Sequence, residues 1–129
     1  MPGPLYGQKV QDIDDVNVKA LYEEARRCYG SNGFTAAVLC CRKLLMHIAV
    51  AKKAAPGLRF IEYVQYLVDH HYVPPDAKEW VDHIRSTSNE ANHEIVVSTK
   101  EQAAELIDLV GVLLKVIFEF PKMMRAKKP

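Results

Sequence analysis

A chain of 129 residues has room for one hydrophobic core and not for two comfortable ones, so it reads as a single domain. With 49% hydrophobic and 26% charged residues, its composition excludes low-complexity, fibrous and intrinsically disordered classes. The 17 Lys and Arg against 16 Asp and Glu leave a net charge of +1, so no general electrostatic attraction for nucleic acid or an anionic membrane is built in.

Pro2, Gly3, Pro4 and Gly7 make residues 1–15 a poor helix and an expected mobile lead-in. Asp14, Asp15 and Asn17 are candidate N-caps of a first helix. Its apolar positions, Val18, Leu21, Tyr22, Ala25, Cys28 and Tyr29, recur at helical spacing, and Gly30 and Gly33 supply its stop. The second helix is expected from about Phe34 to Ala54. Its stripe of Phe34, Ala37, Val38, Cys41, Leu45 and Ile48 is widened by Cys40, Leu44 and Ala51, as suits an inner helix. Pro56 and Gly57 close it. A third segment, Leu58 to about His71, carries Phe60, Ile61, Val64, Leu67 and Val68 on one face and ends at Val73, Pro74 and Pro75.

Pro75 and Asp76 then open a fourth helix with Ala77, Trp80, Val81, Ile84, Ser88 and Ala91 on one side. Thr87, Ser88, Asn89 and Asn92 compete for backbone hydrogen bonds, so a break or tightening is expected between Arg85 and His93. The last helix is predicted to start from a capping box of Ser98 and Glu101 and to run until Pro121 stops it. Ala103, Leu106, Ile107, Val110, Leu113, Leu114 and Ile117 form its main stripe, and Leu109, Val112, Val116 and Phe120 a second. A helix this apolar needs cover on more than one side, from neighbouring helices or a second subunit. Residues 122–129, with Lys122, Arg125, Lys127 and Lys128, read as a frayed basic tail. Ile95, Val96 and Val97 suit at most a short extended link, so the chain is all-α: lead-in 1–15, helical domain 16–121, tail 122–129.

The three cysteines, Cys28, Cys40 and Cys41, are odd in number, include an adjacent pair badly placed for a disulfide, and lack metal-binding spacing, which fits a reducing cytoplasm. Within so apolar a helix, Cys40 and Cys41 are expected to be packed rather than reactive. Neither an export signal nor a membrane span is read in the chain. His47, His70, His71 and His83 make no ligand spacing, and neither a metal nor a cofactor is expected. Arg26, Arg27, Arg42, Lys43, Lys52 and Lys53 tilt the first two helices basic, while Asp76, Glu79, Asp82, Glu90 and Glu94 tilt the fourth acidic. Solvated faces explain both, and a basic groove opposite an acidic docking face is the sharper alternative.

One stretch concentrates unusual polar residues: I84-R-S-T-S-N-E-A-N-H93. On a continuous helix Arg85, Asn89 and His93 follow at i, i+4 and i+8 along one side, bringing a cation, an amide and an imidazole together. Such a set suits phosphate binding and proton transfer. A surface pairing of Arg85 with Asp82 or Glu90, and capping roles for Asn89 and His93, account for the same residues structurally.

These residues, with Y22-E-E-A-R-R-C-Y29, G33-F-T-A-A37, V38-L-C-C-R-K-L-L45, E101-Q-A-A-E-L-I107 and F118-E-F-P121, resemble the prokaryotic domain of unknown function 4145 within the HEPN superfamily of helical bundles. The likeness covers nearly everything from Val16 to Pro121. It implies an up-and-down bundle of four to five helices that pairs as a homodimer, of a kind found in bacterial and phage defence. Many HEPN relatives are metal-independent endoribonucleases with a composite site at the dimer interface, on which Arg85 matches the Arg, Ser86 the polar residue after it and His93 the His. Seven residues separate Arg85 from His93, a wider gap than in the ribonucleases. Ser88 stands where the family usually has Gly, and Met46 where it usually has an acidic residue. The leading expectation is therefore a dimeric interaction or nucleic-acid-associated module, with RNA or a protein as partner. An endoribonuclease using Arg85, His93 and Asn89 comes second, by 2′-hydroxyl attack with His93 moving protons and Arg85 stabilising charge. A purely structural oligomerisation domain is the third reading.

Overall fold

The computed structural model describes residues 5–79, 81–82 and 97–127. These residues form an all-α bundle, with no strand among them. Helix α1 (Val16–Gly30) begins where Asp15, in extended conformation, accepts hydrogen bonds from the backbone N–H groups of Asn17 and Val18 at 2.9 and 3.1 Å. A three-residue turn leads to α2 (Phe34–Ala51), and the two form an αα-hairpin. Helix α3 (Phe60–Asp69) follows, with Glu62 reaching back to the Arg59 N–H at 3.0 Å. After a 3₁₀ turn (Pro75–Ala77), residues 78, 79, 81 and 82 are helical. Helix α4 (Lys100–Leu114) passes through a wide π-turn (Lys115–Glu119) into a short α5 (Phe120–Ala126).

The first three helices end alike. In each, the second residue past the helix adopts a left-handed backbone: Asn32 (φ 66°), Lys53 (φ 82°) and His71 (φ 63°). The N–H groups of Gly33, Ala54 and Tyr72 then return to the carbonyls of Cys28, Ala49 and Leu67 at 2.7, 2.9 and 2.9 Å, closing the paired-bond Schellman termination. The expected glycine stop of α1 is thus filled differently: Asn32 takes the left-handed position. Gly33, with negative φ, caps α2 where an added Cβ would stand 3.2 Å from the Cys28 carbonyl oxygen. Helix α2 stops three residues earlier than its apolar pattern suggested, because Lys53 turns the chain.

The α4 cap also lies one residue later than expected. Thr99, not Ser98, accepts from the Gln102 N–H at 3.1 Å, and Gln102 returns the bond to the Thr99 N–H at 2.9 Å. The Ser98 N–H is instead engaged by Thr35 Oγ1 of α2 at 3.0 Å, so Ser98 docks the incoming chain on the bundle. Pro121 does not end the last helix. In the π-turn before it the Phe120 N–H reaches back to the Lys115 carbonyl, and Pro121 sits in the first turn of α5, where its missing N–H is not needed.

The core is built where the three long helices meet: Val18, Tyr22 and Ala25 of α1, Cys41, Leu44, Leu45 and Ile48 of α2, and Ile107, Val110, Leu113 and Leu114 of α4 are almost wholly buried. Leu109 is buried too and Val112 half-buried, so most of the circumference of α4 is covered, while at Phe120 apolar surface reaches solvent. By length and composition α2 is a helix able to cross a membrane; in this bundle its apolar face is core, and Arg42, Lys43 and His47 punctuate the remainder.

Residues 5–15, expected to be a mobile lead-in, lie as an extended strap against the bundle. Arg26 donates to the carbonyls of Tyr6 (2.8 Å) and Gly7 (3.4 Å), Tyr22 donates to the Gln8 carbonyl, and the Gln11 N–H donates to Glu119 Oε1 (2.8 Å). Val10 is buried, and the Tyr6 ring lies 4.1 Å from that of Tyr29. Close approach requires glycine at two points. A Cβ on Gly7, whose φ is +84°, would stand 2.8 Å from Ile107 Cγ2, and one on Gly111 would stand 3.0 Å from the Tyr22 hydroxyl.

Candidate functional site

Arg85, Ser86, Asn89 and His93 lie outside the described residues, as do Trp80, His83, Ser88, Glu90 and Glu94. The two flanks of that stretch are described, and both are anchored. Before it, Val81 is buried in the core; after it, exposed Val97 leads into Ser98 on Thr35 and the Thr99 cap of α4.

The basic residues of the first two helices do not form one groove. Arg26 is a strap anchor, 7% exposed, with Glu23 at 3.2 Å completing its partners. The Arg42 guanidinium lies 4.7 Å over the Phe60 ring, in surroundings dry enough to lower its pKa from the ordinary arginine value. Lys52 is 5.5 Å from the centre of the Tyr72 ring. Arg27, Lys43 and Lys53 are exposed, as are the acidic Asp76, Glu79 and Asp82.

His47 and His70 have partners within the bundle. His47 Nε2 lies 2.8 Å from Asp15 Oδ2, and that bond, aided by the capped N–H groups, holds the Asp15 carboxyl below its ordinary pKa against a smaller opposing effect of burial. His70 stacks on Tyr66 at 3.9 Å and its Nδ1 meets the Tyr66 carbonyl at 2.9 Å. Among the described residues no three His, Cys, Asp or Glu side chains converge to hold a metal ion. Met46 packs against the core.

The densest polar cluster among the described residues is the strap anchorage, which sequence reasoning missed. Burial pushes the Tyr22 hydroxyl up to about 12 and raises the Asp108 carboxyl, which accepts from the Tyr6 hydroxyl at 3.1 Å. Glu119 is turned inward by the π-turn; the Gln11 N–H and then Lys115, at 3.2 Å, hold its carboxyl low. Lys122 adds an ion pair to Asp12 at 3.3 Å. Each group has a structural partner, so the cluster binds the chain to itself. Its members, Tyr6 with Asp108 and Gln11 with Glu119, lie too far apart in sequence to be paired by pattern.

A family model described as "Domain of unknown function (DUF4145)" matches residues 23–128. Among curated proteins and among solved structures nothing matches.

Proposed function

The chain belongs to the family of domains of unknown function DUF4145, and from that premise we propose that it is a HEPN-like module that pairs with a second copy and binds RNA through the 84–93 stretch. What supports this reading lies on either side of the stretch, where Val81 is buried in the core and the Ser98 N–H donates to Thr35. The family match spans the same residues. Pairing is supported by apolar surface left at the end of the last helix, where Phe120, Met123 and Met124 are exposed at helical spacing. A cytoplasmic role in bacterial or phage defence is the setting the resemblance suggests.

The test measures fluorescence anisotropy of a labelled single-stranded RNA in EDTA, with light scattering on the same sample. Saturable, salt-sensitive binding by a dimer, weakened about tenfold by Arg85→Ala, is expected. A strict monomer that leaves the RNA free at the highest soluble concentration would overturn the reading. Metal-independent cleavage of that RNA, lost in both His93→Ala and Arg85→Ala, would establish the second reading, an endoribonuclease with a composite site.

A further inference from the structure

Cys40 faces across the α1–α2 hairpin, where its Sγ donates to Glu24 Oε2 at 3.3 Å, and Cys28, one turn beyond Glu24 on the same side of α1, is its neighbouring thiol. Its sequence neighbour Cys41 points the other way, fully buried among the core residues. Cys28 and Cys40 are each half-buried and sit on neighbouring helices, with a carboxylate beside them. A disulfide requires side-chain rotations that bring the two sulfurs to the roughly 2 Å bond length.

We propose that Cys28 and Cys40 are an oxidisable pair that closes into a disulfide stapling α1 to α2, and that Glu24 holds the pair in the dithiol form. With a small-molecule disulfide such as oxidised glutathione, the Cys28 thiolate attacks one glutathione sulfur and the first glutathione leaves as its thiol. Cys40 then gives its proton to solvent and attacks the Cys28 Sγ of the mixed disulfide. The Cys28–Cys40 bond forms, the Cys28–glutathione bond breaks, and the second glutathione leaves. The protein dithiol is oxidised by two electrons and the glutathione disulfide reduced to two thiols.

Glu24 sets the pace. Burial, then the hydrogen bond and negative charge of Glu24, push the Cys40 thiol up to about 12, which keeps it protonated and slow to attack. Removing the carboxylate raises the thiolate fraction while making the thiolate somewhat less nucleophilic, so a net acceleration of about threefold or more is expected in Glu24→Gln.

The experiment equilibrates the full-length protein with glutathione buffers and maps the products by mass spectrometry under non-reducing digestion. The expected product is a Cys28–Cys40 bridged peptide, absent in Cys28→Ser and Cys40→Ser and retained in Cys41→Ala. Cys40→Ser is expected to stop at a Cys28–glutathione mixed disulfide. The bridged protein should melt higher than the reduced one by roughly 5–10 °C. Bridges between chains or involving Cys41, or a fully reduced protein in the most oxidising buffer, would overturn the proposal. A slower reaction in Glu24→Gln would overturn the role given to Glu24.

Discussion

Arg26 shows how far a residue's role can depart from its type. In sequence it belongs to a basic tilt, yet it is almost wholly buried and spends its fork of donors on Tyr6, Gly7 and Glu23. Removing it leaves two strap carbonyls without that donor, so Arg26→Ala is expected to cost about 2–3 kcal/mol by urea denaturation, whereas Arg27→Ala at an exposed position should stay within about 0.5 kcal/mol. Arg26→Lys should recover only part of the loss, because an ammonium cannot reproduce the forked geometry. Asp15 combines a helix cap with a bond to His47, both legible only in part from its position before Val16. Its folded pKa is lowered, so its stabilisation is present above the ordinary carboxylate value and is lost as pH falls through the folded value. Asp15→Asn keeps a capping oxygen but cannot ionise. It should flatten that acid limb of the stability profile and, at these half-exposed groups, cost no more than about 1 kcal/mol at neutral pH.

At the scale of elements, the shared termination of α1, α2 and α3 places three side-chain-bearing residues in left-handed backbone. Lys53 and His71 are exposed there and gain little from their side chains, so Lys53→Gly and His71→Gly are each expected to stabilise by about 0.5–1 kcal/mol in thermal melts, with no gain from the alanine variants. Helix positions were readable from period and caps because both are local. The choice between two overlapping capping boxes and the inward placement of Glu119 were not, since each involves a distant partner: Thr35 for Ser98, and the Gln11 N–H for Glu119 in the π-turn. Hydrogen exchange at Gln11 measures the second of these. Glu119→Ala is expected to speed exchange of that amide by about tenfold or more while leaving α1 amides unchanged.

For the whole molecule, the strap joins α1, α4 and the π-turn, the two ends of the described bundle. Deleting residues 1–11 removes buried Val10 and the carbonyl partners of Arg26 and Tyr22, and should lower Tm by roughly 5–15 °C in calorimetry. The all-α class, the helix order and most core residues follow from the amino-acid sequence by itself, because hydrophobic period, N-caps and turn residues act over a few positions. The 84–93 stretch was singled out from its residue types and spacing, and it lies outside the described residues. The tertiary structure alone decided that residues 5–15 form a strap, that Arg26 is a buried anchor rather than part of a groove, and that Cys40 reaches Glu24 across the hairpin while Cys41 is buried in the core. Those outcomes depend on which helices pack together, and a helix face shows only that it must be covered, not by what.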